Sequence, residues 1–142
     1  MQLTDVNVLV NAFRPEAPHH VRYRAWLEQL IAGDQRYGMS ELILSSVVRI
    51  LTNRQIYARP DSIETALGFA ELLKTQRLCV LIAPGPRHWQ IFSRMCVEAK
   101  VRGAMVSDAY WAALAIEHGC EWITADRGFA RFPGLRWRHP LD

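Results

Sequence analysis

The sequence has few cysteines and nothing that looks like a membrane or export segment. The three cysteines, Cys79, Cys96 and Cys120, are odd in number, widely spaced and set among apolar residues. This usage is typical of a reducing compartment and argues against a disulfide framework or a zinc site. No apolar run approaches the ~20 residues of a membrane span. The first residues lack the basic and apolar regions of a signal peptide, which predicts a cytoplasmic protein.

Several common catalytic motifs are also missing. The five histidines do not show a metal-binding spacing such as His-Glu-x-x-His. Neither Ser45 nor Ser46 lies in a Gly-x-Ser-x-Gly nucleophile elbow. The chain has no Walker loop and no dinucleotide-binding glycine motif. These absences argue against a serine hydrolase and against the two common nucleotide-binding folds.

The segments that are present alternate between short apolar strands and amphipathic helices. The chain has 142 residues, of which half are apolar, and this predicts one packed domain over residues 1–142. Alternating strands and helices favour an α/β fold with helices on both faces of a parallel sheet. We expect a three-layer α/β/α sandwich with four or five strands. The predicted strands are 3–5, 37–39, 78–83, 121–124 and 135–138, and the predicted helices are 8–13, 20–32, 41–52, 60–75, 87–100 and 109–118.

Local residue patterns mark where these elements begin and end. Short polar side chains can cap helix starts, and they predict capping by Asn7, by Ser40, by Asp61 and by either Ser107 or Asp108. Gly119 is expected to end the helix that precedes the fourth strand. The continuous apolar run 78–83 predicts a strand that is covered on both faces. Residues 127–134 are expected to form a loop.

Four acidic residues occupy the ends of these predicted elements, two after strands and two at helix starts. They are Asp5, Glu41, Asp108 and Asp126. Ligands of open parallel sheets bind outside the carboxyl ends of the strands, so we expect the four side chains to meet there. Clustered carboxylates need a cation to stay ionised, and oxygen-rich sites select Mg²⁺ or Mn²⁺. The pattern predicts a metal-dependent nuclease, because such metals activate water and stabilise the leaving oxygen of a phosphodiester.

Each acidic residue taken alone has a simpler explanation. Aspartate commonly caps helices and follows strands in turns, and glutamate is common in the first turn of a helix. Two other functions therefore stay open. A non-catalytic binding module for RNA or protein would use the carboxylates only as caps. A Mg²⁺-dependent phosphotransfer or phosphatase domain is also α/β, but it would need a late lysine, and the last lysine here is Lys100.

Arginines alternate with aromatic residues near the C-terminus. The arginines are Arg127, Arg131, Arg136 and Arg138, and the aromatic residues among them are Phe129, Phe132 and Trp137. Guanidinium groups bind phosphates and aromatic rings stack on bases, so this composition suggests contact with RNA. The net charge of +3 is weak support for the same partner. The alternative is that the aromatic residues pack the last strand while the arginines only face solvent.

The same residues resemble a known protein family. The motifs that carry the resemblance are Asp5-x-Asn7, Ser40-Glu41-Leu42, Val106-Ser107-Asp108-Ala109 and the stretch from Glu117-His-Gly-Cys to Thr124-Ala-Asp126-Arg-Gly-Phe129. They are similar to the motifs of PIN-domain ribonucleases. The closing run Phe132-Pro-Gly-Leu-Arg-Trp137 and the chain length resemble the VapC-type toxins of bacterial toxin–antitoxin pairs.

The resemblance implies a PIN-like fold and specific roles for the acidic residues. It makes Asp5, Asp108, Asp126 and Glu41 the metal-site residues, with Glu41 acting through water or positioning the nucleophile. Asn7 and Thr124 match positions that support such a site by hydrogen bonds. The chain has Arg127-Gly128 where some PIN domains have a further acidic residue, so a second metal ion stays open.

The resemblance also implies an activity and partners. It predicts a Mg²⁺- or Mn²⁺-dependent endoribonuclease that acts on a structured or translation-related RNA. It further predicts a homodimer, and inhibition by a cognate VapB-type antitoxin whose C-terminal part covers the active-site groove. Which RNA is cut does not follow from these motifs.

Overall fold

The computed structural model describes residues 1–142 as a five-stranded sheet surrounded by helices. The strands are β1 (Gln2–Thr4), β2 (Tyr37–Met39), β3 (Cys79–Leu81), β4 (Glu121–Ile123) and β5 (Trp137–Arg138). The helices are α1 (Val6–Phe13), α2 (His20–Ala32), α3 (Glu41–Leu51), α4 (Ile63–Lys74), α5 (His88–Glu98) and α6 (Met105–Glu117). All paired strands are parallel, in the order β3-β2-β1-β4-β5. The predicted α/β fold with a parallel sheet is confirmed.

The strand order reverses direction at β1. Strands β2 and β3 lie on one side of β1, whereas β4 and β5 lie on the other side. Parallel crossovers are right-handed, so this reversal moves the later helices to the opposite face of the sheet. The helix packing agrees, because α1 packs on α2 and α3 and α3 packs on α4, whereas α5 packs on α6. The carboxyl ends of β1 and β4 flank the reversal, which is where ligands bind in such sheets.

Packing, rather than strand length, holds this sheet together. The strands have only two or three residues each, but Leu3, Tyr37 and Trp122 on them are completely buried. The Tyr37 hydroxyl donates a hydrogen bond to the Leu73 carbonyl at 3.0 Å, which satisfies a polar group inside the core. The cysteines follow the prediction, since all three are free. None of the helices is long and apolar enough to span a membrane.

The predicted burial of the third strand is wrong. Only Cys79–Leu81 pairs as a strand, and β3 lies at the edge of the sheet with β2 as its single neighbour. Leu81 is 51% exposed for this reason. An apolar run shows that a segment is extended and hydrophobic, but it does not reveal how many neighbours the strand acquires.

The predicted caps of α1 and α4 are wrong. Asp5, not Asn7, caps α1, because its carboxylate accepts a hydrogen bond from the Val6 N–H at 2.7 Å. Ser62 caps α4 by accepting from the Thr65 N–H at 3.1 Å. Asp61 instead pairs with the buried Arg14 at 3.0 Å. In each case the predicted residue has found a more distant partner that local sequence does not show.

The helix that carries Asp108 begins earlier than predicted. Helix α6 starts at Met105, so Ser107 and Asp108 lie within its first turn and neither of them is the cap. Residue 104 occupies the N-cap position without a side-chain hydrogen bond. The predicted end of this helix is confirmed, because Gly119 has φ +64°, a left-handed conformation that favours glycine.

Two further segments differ in detail. Ser40 occupies the N-cap position of α3 as predicted, but its side chain makes no capping hydrogen bond. The predicted loop 127–134 begins instead with a 3₁₀ helix, Arg127–Arg131, which Asp126 caps by accepting from the Gly128 N–H at 2.7 Å.

The central position of β1 leads to a stability prediction. Leu3→Ala should lower the free energy of unfolding by about 2–5 kcal/mol, because Leu3 is fully buried and its loss leaves a cavity. Leu67→Ala is the matched control, since Leu67 is 50% exposed and should cost well under half as much. Urea unfolding of the two variants measures the difference. Equal losses would contradict the assignment of β1 to the centre of the core.

Candidate functional site

Three of the four predicted acidic residues surround one cavity at the strand-order reversal. The cavity has a volume of about 430 Å³ and opens between the starts of α1 and α6 and the middle of α3. Its acidic residues are Asp5, Asp108 and Asp126. The other lining residues are Val6, Asn7, Val10, Asn11, Ser46, Arg49, Ile50, Ser107, Trp111 and Phe129.

Asp5 is the buried member of this group. It follows β1, and its N–H donates to the Ile123 carbonyl at 2.8 Å, which continues the pairing between β1 and β4. One carboxylate oxygen accepts from the Val6 N–H, and the other accepts from the Thr124 hydroxyl at 2.7 Å. Burial, followed by the charges of Asp108 and Asp126, raises the pKa of Asp5 to about 6 despite these hydrogen bonds.

Asn7 and Thr124 hold Asp5 against the segment that follows β4. The Asn7 amide donates to the second Asp5 oxygen at 3.0 Å, and its carbonyl oxygen accepts from the Ala125 N–H at 3.0 Å. The Thr124 hydroxyl oxygen accepts from the Asp126 N–H at 3.0 Å while it donates to Asp5. This network joins the ends of β1 and β4 and fixes the position of the Asp126 backbone. The structure therefore places both predicted supporting residues next to Asp5.

Asp108 is the free carboxylate of the cavity. It lies half-buried in the first turn of α6, where the helix dipole favours an anion. No group in the chain donates a hydrogen bond to it or forms an ion pair with it. Burial, together with the Asp126 charge, raises the pKa of Asp108, and the guanidinium of Arg131 partly opposes this shift. A half-buried carboxylate without a partner is costly, which suggests that it faces a ligand.

Asp126 is exposed and keeps one oxygen free. Its Oδ1 accepts from the Gly128 N–H, and its Oδ2 has no partner in the chain. The 3₁₀ helix that Asp126 caps carries Phe129, which is buried against Trp122 with ring centroids 5.5 Å apart. The aromatic contact thus anchors the segment whose first residue presents a carboxylate to the cavity.

Glu41 does not lie with the three aspartates. It is the first residue of α3, it does not line the cavity, and its carboxylate pairs with Lys74 at 2.6 Å. At ~100° per residue, Glu41 lies ~140° around the helix from Ser46, which does line the cavity. The Glu41 side chain is exposed to solvent, and it lines a different surface pocket together with Leu42 and Leu81. In this structure Glu41 therefore does not line the cavity with the three aspartates, and its part in the metal site stays a prediction from sequence.

The three aspartates offer ligand atoms that suit a divalent cation, although their carboxylates are not within coordination distance of one common point. All three acids supply carboxylate oxygens, the ligand type that Mg²⁺ and Mn²⁺ prefer. Nowhere in the chain do three acidic, histidine or cysteine side chains meet at coordination distance. Burial is the main cause of the raised pKa values of Asp5 and Asp108, and the negative charges of the neighbouring aspartates add to both shifts. The free oxygens of Asp108 and Asp126 are the groups that could turn towards a cation and relieve that repulsion.

The C-terminal arginines are mostly engaged within the chain. Arg127 forms two hydrogen bonds with Asp142, and Arg138 pairs with Glu121 at 3.1 Å. Arg136 donates to the Gly119 carbonyl. Arg131 donates to the Gly128 carbonyl and to the Met105 sulfur. None of the four lines the cavity, and only Arg131 acts on one of its carboxylates.

Sequence reasoning missed the contribution of α3 to the cavity. The helix supplies Ser46, Arg49 and Ile50, and not the glutamate at its start. A signal was present, because positions i, i+3 and i+4 lie on one face of a helix and two of the three residues here are polar. The same helix buries Ile43, Val47 and Leu51 on its core face. The polar residues next to that stripe indicated a second face.

Known proteins resemble this chain over nearly its whole length. Residues 3–135 match the family described as "PIN domain". VapC ribonuclease Mb2897 of Mycobacterium bovis is 39% identical over 142 residues, which cover 100% of this chain and 97% of that protein. Ribonuclease VapC25 of Mycobacterium tuberculosis is 37% identical over 140 residues, with 99% of both chains covered.

Solved structures share the fold at low sequence identity. A VapBC2 structure from Rickettsia felis, bound to a promoter DNA fragment, has a TM-score of 0.71 at 16% identity and covers 96% of both chains. A toxin–antitoxin complex from Klebsiella pneumoniae has a TM-score of 0.64 at 19% identity and covers 99% of this chain and 98% of that one. The arrangement of strands and helices is therefore shared. The chain belongs to the PIN-domain family, in its branch of VapC ribonuclease toxins of toxin–antitoxin pairs.

Proposed function

We propose that this protein is a Mg²⁺- or Mn²⁺-dependent endoribonuclease that hydrolyses phosphodiester bonds of RNA. The observation that carries the proposal is the placement of Asp5, Asp108 and Asp126 around one cavity at the strand-order reversal of a VapC-family chain. When bound, the cation supplies Lewis acidity that activates water and stabilises the departing oxygen. The three carboxylates would hold it directly or through water.

The chain's own residues divide the work of holding the cation. Asp108 accepts no hydrogen bond and can turn towards a ligand, whereas Asp126 offers its free Oδ2 while its Oδ1 stays bonded to the Gly128 N–H. Asp5 is fixed by Val6, Asn7 and Thr124 and provides a rigid carboxylate at the base of the cavity. Fixed supporting hydrogen bonds of this kind orient metal ligands and maintain their charge. The proposal therefore uses three aspartates, while a role for Glu41 stays a prediction from sequence.

We also propose that a cognate antitoxin protein binds over this cavity and that the chain forms a homodimer. Support comes from relatives that are named as VapC ribonucleases and from structural neighbours that are toxin–antitoxin complexes. An open cavity lined by unpaired carboxylates is suited to a basic peptide as well as to a cation. Native mass spectrometry of the protein expressed alone and with its partner would test the stoichiometry.

The alternative is a PIN-like module that binds RNA or protein without cutting. It is favoured by the incomplete convergence of the carboxylates. The unpaired Asp108 favours catalysis instead, because a structural cap would be satisfied by backbone N–H groups and this carboxylate is not. A cleavage assay separates the two functions.

The first prediction concerns cleavage of total bacterial RNA by the purified protein with Mn²⁺. Asp108→Asn should lower the cleavage rate by roughly 10²-fold or more, because it removes an oxygen ligand at nearly constant volume. Chelation of the cation should abolish cleavage by the unaltered protein. Asp34→Asn is the matched control, since Asp34 is exposed and lies outside this cavity. Thermal unfolding should show that Asp108→Asn is at least as stable, because its buried charge is removed.

Each other outcome of this assay has a definite meaning. Cleavage that persists in chelator would exclude the metal-dependent mechanism, and full activity of Asp108→Asn would exclude the site. RNA binding without cleavage, in protein shown by mass to be free of antitoxin, would favour the non-catalytic module. Glu41→Gln tests the remaining sequence prediction, because its activity should match that of Asp34→Asn if three carboxylates suffice.

The second prediction uses the raised pKa of Asp5 and does not need RNA. The unfolded chain releases this proton near the ordinary pKa of 3.8, whereas the folded chain keeps it to about pH 6. The unfolded state therefore binds fewer protons between these values, and stability falls as the pH rises. Relative to Asp5→Asn, the wild-type protein in chelator should lose roughly 2–3 kcal/mol of unfolding free energy between pH 4 and pH 7, at ~1.4 kcal/mol per pKa unit.

A bound cation should reverse this loss. Mg²⁺ or Mn²⁺ favours the ionised carboxylate, so it should stabilise the wild-type protein above pH 6 and have little effect on Asp5→Asn. Urea unfolding at a series of pH values, with and without the cation, measures both effects. Parallel pH profiles for the two proteins would contradict the burial of Asp5. A cation effect of equal size in both would place the binding elsewhere.

A further inference from the structure

The wall that α3 contributes to the cavity carries a cation. Ser46, Arg49 and Ile50 line the cavity at positions i, i+3 and i+4 of the helix. The Ser46 hydroxyl donates to the Leu42 carbonyl at 3.2 Å, so its proton is already used within the helix. Ile50 has no polar group. Arg49 is therefore the residue on this wall that can bind a charged ligand.

Arg49 differs from the other basic residues in two respects. It is the only arginine or lysine among the residues that line the cavity. Its side chain is exposed, and no ion pair or side-chain hydrogen bond within the chain involves its guanidinium. The four C-terminal arginines, by contrast, all donate to groups of the chain itself. A guanidinium that faces three carboxylates and pairs with none of them keeps all its donors available.

The charge balance of the cavity shows what Arg49 would bind. A phosphodiester that enters beside three carboxylates is repelled, and one divalent cation cannot cancel three negative charges and a phosphate. The guanidinium of Arg49, which also lines the cavity, would reduce the negative charge that remains. The guanidinium also presents two parallel N–H donors that match two phosphate oxygens, which lysine cannot do. The site thus has the shape and charge for a backbone phosphate of RNA.

We propose that Arg49 is a positioning residue that binds a phosphate of the RNA backbone and holds the strand across the three aspartates. This inference rests on the proposed ribonuclease function and adds a residue to it. It also replaces the C-terminal arginines as the main phosphate contact. Arg49 contacts the backbone and not the bases, so it should act on RNA of any sequence.

The test is RNA binding measured without cleavage. Fluorescence anisotropy with a short, labelled, single-stranded RNA of mixed sequence is recorded in chelator over a series of KCl concentrations. The parent protein carries Asp108→Asn, which prevents cleavage and removes one repulsive charge. Arg49→Ala in this parent should raise Kd by about 10-fold and reduce the slope of log Kd against log salt by ~0.7, the value expected for one phosphate contact on a single strand.

Two further variants separate charge from geometry and from general effects. Arg49→Lys should restore most of the salt slope, because it keeps the charge, but only part of the affinity, because it lacks the paired donors. Arg54→Ala is the matched control: Arg54 is exposed just after α3, has no partner in the chain and does not line the cavity. It should bind RNA like the parent. Melting temperatures show whether each variant is folded.

This test, together with the cleavage assay, distinguishes failure of the Arg49 inference from failure of the proposed ribonuclease function. If the unaltered protein cuts RNA with Mn²⁺ but Arg49→Ala binds with the parent's Kd and salt slope, the inference is overturned and the ribonuclease stands. An equal loss in Arg54→Ala, or no measurable binding by the parent, overturns it as well. Lower stability of Arg49→Ala with an unchanged slope would assign the residue a structural role only. If the unaltered protein does not cut RNA, the proposed function fails whatever the slopes show.

Discussion

The buried carboxylate of Asp5 is the interaction on which the site depends. It caps α1, accepts a hydrogen bond from the Thr124 hydroxyl and so connects the end of β1 to the end of β4. These are the two strands that flank the reversal of strand order. Burial of this charge opposes folding at neutral pH, because burial raises the pKa of Asp5 to about 6. The rest of the site compensates with hydrogen bonds and, on our proposal, with a bound cation.

The distribution of charge around the cavity is uneven, and this gives the site its chemistry. The aspartates repel one another, and Arg131 only partly offsets the burial of Asp108. Two of the four C-terminal arginines, Arg127 and Arg138, are paired with the carboxylates of Asp142 and Glu121. Only a few cations therefore act on the cavity. A site of this kind favours ligands that bring positive charge, and it binds an anionic RNA better when a metal ion and Arg49 offset the charge of the aspartates.

Glu41 shows why a motif match is weaker than a position in space. The sequence Ser40-Glu41-Leu42 resembles a family motif, but a helix turns by ~100° per residue and its start and middle face different surroundings. Lys74 on α4 then binds the glutamate side chain. The side of α3 that reaches the cavity carries an arginine, so this helix contributes a charge of the opposite sign to the one that the motif predicted.

The sequence by itself determined the α/β class, the parallel sheet and the positions of Asp5, Asp108 and Asp126, because alternating periodicities and residues at strand ends are local properties. The supporting roles of Asn7 and Thr124 were indicated only by the resemblance of their motifs to those of PIN-domain ribonucleases. Only the tertiary structure decided which polar groups meet. It decided that Asp61 pairs with Arg14 and not with a helix end, and that α6 begins early enough to place Asp108 inside its first turn. These outcomes depend on contacts between residues far apart in the chain, and no local pattern encodes such distances.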